Sequence, residues 1–175
     1  MNTLDRQMVA DQFKSFQAQI YERVKGFEDN KSFIKDGWEK QNLGSGLSIV
    51  VDDGLAFNKA GINFSQIAGD SLPESSLGIL NESEKLPYFA TGVSVVFHPN
   101  NPNIPTAHLN VRYFCTTKDG EIHNHWFGGG FDLTPYILFE DDCYEWHKAA
   151  KNACDQTDSN FCLLYTSDAA DEGHC

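Results

Sequence analysis

The stretch from Thr91 to Tyr136 constrains the fold most, because its residues alternate in kind with a period of two. Val93 to Phe97 alternates through Ser94 and is rich in β-branched residues, as a half-buried strand requires. The segment HisProAsnAsnProAsnIlePro follows. Pro99, Pro102 and Pro105 have no backbone donor, and the asparagines favour turns, so no regular element runs through it. A second strand is expected over Ala107–Thr116 and a turn at Lys118–Gly120. A third strand is expected from Glu121 to Phe127, ended by Gly128, Gly129 and Gly130.

Side chains alternate faces along a strand. His108, Asn110 and Arg112 therefore point one way, and Leu109, Val111 and Tyr113 the other. The second set is apolar and packs. The first aligns an imidazole, an amide and a guanidinium. Arg112 can fork a carboxylate, Asn110 can donate and accept, and His108 can exchange a proton near neutral pH. Such a row suits an anionic, hydrogen-bonding ligand. It equally suits a strand with one wetted face, and the pattern leaves both readings open.

The remaining elements come from periodicity. Val9, Phe13, Phe16, Ile20 and Val24 form one apolar stripe, which predicts a helix over residues 4–26 with Gly26 as its stop. Residues 33–38 read as a short connection, with Trp38 anchoring the core. Gly44 and Gly46 suggest a loop entering a strand at Leu47–Val51, and Asp53-Gly54 a turn. Residues 55–65 hold a short apolar run, and residues 69–87 read as an exposed connection. After the glycines the period changes. Phe139, Cys143, Trp146, Ala150 and Cys154 share a helical stripe, with the start expected near Leu138 and His147 at the stripe's edge. The expected fold class is α+β, an antiparallel β-sheet flanked by α-helices.

The net charge of −12 and pI near 4.7 argue against nucleic acid or an anionic membrane as partner. The first residues are polar and arginine-poor, unlike a secretory or transit segment, and no apolar run is long enough to span a bilayer. Cys115, Cys143, Cys154, Cys162 and Cys175 are odd in number and lack CxxC spacing. Free thiols in a reducing cytoplasm are the simplest reading. GlyGlyGly precedes PheAspLeuThrPro rather than a helix start, so it is not a dinucleotide fingerprint.

Three blocks carry a resemblance: HPNNPNIPTAHLNVRYF, WFGGGFDLTPY and EDDCYEWHKAAKNACDQ, with AGINFSQIAGDSLP upstream. Together they resemble oxygen-dependent coproporphyrinogen III oxidase, and the match is long and ordered. It implies a coproporphyrinogen-oxidase-like fold, truncated to its N-terminal half, over residues 1–161. The implied activity is conversion of coproporphyrinogen III to protoporphyrinogen IX in haem biosynthesis. Two propionates become vinyl groups, O₂ is the co-substrate, and CO₂ and hydrogen peroxide are released. No flavin or nucleotide is required. For the full-length protein the resemblance implies a cytoplasmic homodimer. Residues 162–175 depart from the pattern, and LeuLeuTyrThrSerAspAlaAlaAspGlu reads as a translated sequencing adapter, so His174 and Cys175 join no site.

The resemblance also implies residue roles. His108 would be the catalytic acid or base, and Ser94, Asn110, Val111 and Arg112 would bind substrate. His98, His108 and His147 match positions discussed as divalent-metal ligands. Bottom-up, that set stays open beside a metal-free reading, because a cluster needs the helix carrying His147 to cover the polar face. Asp132 reads as orienting a neighbour or accepting from the glycine turn. Where relatives carry an arginine in a glycine-rich loop, this chain has Ile49. A reading of another class stays open as well: a fragment or domain that binds tetrapyrroles without turnover.

Overall fold

Asp5 opens the first helix by accepting the backbone N–H of Gln7 at 2.8 Å, which satisfies one of the donors a helix start leaves free. Helix α1 spans Arg6–Val24. It does not stop at Gly26 but tightens into a 3₁₀ turn over Lys25–Phe27. The computed structural model describes residues 5–29, 33–72 and 85–158. Most of the 69–87 connection and the whole of the 162–175 tail lie outside them.

Among the described residues six strands follow: β1 (Ile34–Lys40), β2 (Gly44–Asp52), β3 (Phe57–Gly69), β4 (Tyr88–Pro99), β5 (Thr106–Lys118) and β6 (Glu121–Thr134). They form one antiparallel sheet in sequence order, and helix α2 (Glu140–Asp155) comes last. The α+β expectation holds. Between β5 and β6 only Asp119 and Gly120 lie outside the ladder, with φ of 53° and 85°. Positive φ at both positions gives the turn whose twist matches its flanking strands, and a glycine there makes it inexpensive.

Helix α1 lies on one face of the sheet. Its expected stripe meets Ile49, Ile62, Phe64, Val93 and Val95, with Leu109 and Val111 at the margin. Val9 and Ala10 pack with Phe89, Tyr113 and Cys115. All these β4 and β5 residues are odd-numbered, as the alternation requires. Buried among them is Gln17, whose Nε2 donates to Leu47 O at 2.7 Å and Ile62 O at 2.8 Å. One polar side chain thus ties the helix to two adjacent strands.

Several elements differ from the expectation. Residues 34–40 form an edge strand rather than a connection, paired to β2 with Trp38 opposite Gly46. Trp38 is half-buried over Gly46, outside the core. The glycine triplet does not end β6. Gly128, Gly129 and Gly130 pair with Arg112, Val111 and Asn110. A β-carbon on Gly129 would collide with the Asn110 carbonyl oxygen, so only glycine permits this approach. Helix α2 begins at Glu140, with Glu140, Asp141 and Asp142 in its first turn, where carboxylates favour the helix dipole. Of the expected stripe, Ala150 is buried and Cys143, Trp146 and Cys154 are half-buried, whereas Phe139 precedes the helix and is exposed.

Candidate active site on the open face of the sheet

The face of the sheet away from α1 carries the even-numbered residues of β4 and β5. Cross-strand register arranges them in rows. One row runs Ser48, Asn63, Ser94, Asn110, Gly130. The next on one side runs Gly46, Ser65, Gly92, Arg112, Gly128, and on the other Gly61, Val96, His108, Asp132. Neighbouring rows are about 7 Å apart, two residues along a strand.

The floor is low because its residues are small. A β-carbon on Gly92 would sit 2.6 Å from Val111 O and 3.3 Å from the Cγ of Arg112, so glycine gives the arginine stem its space. The result is a concavity of about 490 Å³ lined by Asn63, Ser94, Asn110, Arg112, Phe114 and Trp126, among others. Aromatic rings stand on one side of it. Phe114 stacks on Trp126 at 4.4 Å between centroids and on Tyr88 at 5.9 Å. Asn63, Ser94, Asn110 and Arg112 have no side-chain hydrogen bond or ion pair with any described residue. Their donors and acceptors are therefore available to a ligand.

His108 sits one row from this group. Its Nδ1 lies 2.9 Å from Asp132 Oδ2, on the directly paired residue of β6. A carboxylate can only accept, so the pair favours the tautomer with its proton on Nδ1. Nε2 is then left as the acceptor. Both groups reach solvent, at 41% and 62% side-chain exposure.

His98 ends the same face of β4, and its Nδ1 meets Thr106 Oγ1 at 3.3 Å. With Lys59 and Tyr136 it lines a separate hollow of about 380 Å³. The strand ends there are held by Glu28. Its carboxylate accepts the backbone N–H groups of Leu55, Ala56 and Phe57 at 2.6–2.8 Å. Burial alone would raise the Glu28 carboxyl, but bonds from Phe57, Leu55 and Ala56 outweigh it and hold the group below its ordinary value. Asn100 completes the clamp by donating to Gly54 O and Leu55 O at 2.8 and 3.0 Å.

Of the residues singled out in the sequence, Ser94, Asn110 and Arg112 come together, with His108 adjacent. Val111 does not join them through its side chain, which packs toward α1 because odd positions face the helix. The structure does not bring His98, His108 and His147 together. Helix α2 meets the sheet through Trp146 on Phe131, 4.9 Å between centroids, and Phe131 pairs with Leu109 on the helix-bearing face. His147 is thus carried on the side away from His98 and His108. Among the described residues no three His, Cys, Asp or Glu side chains are grouped to hold a metal ion. Ile49 lies in the core under α1, at 3% exposure.

The partner of Asp132 and the place of Asn63 were not legible beforehand. The bond from His108 Nδ1 to Asp132 joins residues 24 apart, and it needed the register of β6 through the glycines. Asn63 sat in an apolar run with no sign of what it would face. The coproporphyrinogen III oxidase family model matches residues 8–172, so it runs past residue 161, where the motifs of the sequence stop. No helix among the described residues is long and apolar enough to cross a membrane.

Proposed function

Because this chain belongs to the coproporphyrinogen III oxidase family, we propose that its open sheet face binds coproporphyrinogen III for oxygen-dependent oxidative decarboxylation. The observation that carries this reading is the unpartnered group Ser94, Asn110 and Arg112 in one concavity, one row from the His108–Asp132 pair. The substrate is a tetracarboxylate with four pyrrole N–H groups. Arg112 suits a propionate, which its guanidinium can grip with two parallel bonds. Asn110 and Ser94 suit either a carboxylate oxygen or a pyrrole N–H.

The reaction turns each of two propionic acid side chains into a vinyl group. For each one the carboxyl carbon leaves as CO₂, and the two protons and two electrons removed reduce one O₂ to hydrogen peroxide. His108 supplies the proton acceptor through Nε2, while Asp132 fixes the ring's orientation and tautomer. That division of labour needs only the geometry of the pair. The family resemblance further supports a cytoplasmic homodimer for the full-length protein, with the pocket completed by residues beyond this chain.

A second reading rests on the openness of the face. His108, Asp132 and Arg112 all reach solvent, whereas proton and electron transfers of this kind profit from excluded water. On this reading the 175-residue chain binds the tetrapyrrole and turnover belongs to the longer protein. The test supplies coproporphyrinogen III to both forms under air and under argon. Oxygen-dependent vinyl product from the full-length protein supports the proposal, and its absence there ends it. Product from the 175-residue chain would discard the second reading.

A further inference from the structure

We propose that Asn63 is a ligand-binding residue of this face, accepting a pyrrole N–H of the bound tetrapyrrole through its side-chain oxygen. The inference rests on the tetrapyrrole reading above and extends the site by one strand. Asn63 pairs directly with Ser94, which pairs directly with Asn110. The three polar side chains therefore form a straight row across β3, β4 and β5, about 10 Å from end to end. All three are half-buried, and Asn63 and Asn110 line the same concavity as Arg112.

The position is polar against its surroundings. Ile62 and Phe64 on either side are buried in the core, so period two turns Asn63 outward. No described residue takes its amide. A half-buried amide without a partner costs stability unless water or a ligand satisfies it. Its Nδ2 lies beside Gly61, where a β-carbon would stand 3.4 Å away, an ordinary contact. The amide thus leans along β3 toward the row that holds His108. A ligand gripped by Arg112 and reaching His108 crosses this row at Asn110, and one as wide as a tetrapyrrole extends over β4 to Asn63.

The chemistry assigns the amide's role. Arg112 has donors only and matches the ligand's carboxylates. The ligand's interior presents N–H donors, which need acceptors. Asp132 is engaged by His108, and Asp52 faces Lys59 at 3.8 Å. The uncharged oxygens of Asn63, Ser94 and Asn110 remain for the ring.

The experiment titrates the 175-residue protein and its variants with coproporphyrinogen III under argon, by calorimetry, and records each melting temperature. Asn63→Leu removes the acceptor at similar size and should weaken binding roughly 3- to 10-fold. Asn63→Asp keeps an acceptor oxygen and should stay within about 3-fold of wild type. Arg112→Ala is the control for the site as a whole. A loss with Arg112→Ala but none with Asn63→Leu at equal melting temperature overturns the role of Asn63 and leaves the substrate reading standing. Asn63→Asp binding no better than Asn63→Leu overturns the acceptor assignment. Absence of binding by the wild type, or indifference to Arg112→Ala, sinks the substrate reading and this inference with it.

Discussion

His108 and Asp132 face each other across β5 and β6, with Nδ1 and Oδ2 2.9 Å apart. The partnership depends on β6 continuing as a strand through three glycines, since Asp132 lies beyond them. Replacing Asp132 by Asn should release the Nδ1–H tautomer, because the amide can present a donor instead of an acceptor. Two-dimensional ¹H–¹⁵N spectra of the imidazoles should show a protonated Nδ1 on His108 in the wild type and a shift toward protonated Nε2 in Asp132→Asn. In the full-length enzyme the same change should lower turnover by about 100-fold with little effect on substrate affinity. Identical imidazole spectra would remove Asp132 from the site.

Within the glycine triplet the two adjacent positions should behave differently. Gly129→Ala drives a methyl group into the Asn110 carbonyl and should cost about 1–3 kcal/mol, with the strand pairing disturbed nearby. Gly128 has nothing within 4 Å of a β-carbon, so Gly128→Ala should fall within about 0.5 kcal/mol of wild type. Urea denaturation of the two variants measures the contrast. Equal losses would mean that backbone freedom, not close approach, selects these glycines.

Glu28 should make stability depend on acid. Its folded carboxyl titrates below its ordinary value near 4.5, so the unfolded chain takes up the proton first. The stabilisation is then complete above that ordinary value and is lost as pH falls through the lower folded one. Glu28→Gln, which keeps one acceptor and adds a donor against backbone N–H groups, should cost about 2–3 kcal/mol at pH 7. The gap to wild type should narrow in acid. A constant difference between pH 7 and pH 3 would contradict the assignment.

Gln17 should be intolerant of an apolar replacement of similar size, despite its apolar surroundings. Gln17→Leu strips this donor from the Leu47 and Ile62 carbonyls and should cost about 2 kcal/mol. Thermal unfolding compared with Gln19→Leu, an exposed position on the same helix, isolates the effect. Equal melting temperatures would show that the two bonds add nothing.

The sequence carried the α1 stripe, the α2 stripe and the two faces of β5, because each is a local periodicity. Arg112, Asn110 and His108 could therefore be placed on one face before any strand order was known. What it did not carry were features fixed by a partner strand. Residues 34–40 hold few apolar side chains, as an edge strand can, so β1 read as a connection. The glycine triplet read as an end because glycine is a poor strand former, and only β5 makes it a continuation. Trp38 read as core because tryptophan is large, yet Gly46 opposite gives it a seat on the open face. Asn63 and Asp132 each needed a register between strands, and register is a property of pairs.

The central claim is that Arg112 on the open face grips a carboxylate of a tetrapyrrole. The direct measurement titrates the protein with coproporphyrin III and with its tetramethyl ester, following tetrapyrrole fluorescence, in wild type and in Arg112→Ala. Saturable binding of the free acid is expected, with the ester much weaker. Arg112→Ala should weaken the acid by roughly ten- to a hundredfold and leave the ester unchanged. Acid and ester binding equally well, or an acid affinity indifferent to Arg112, would contradict the account.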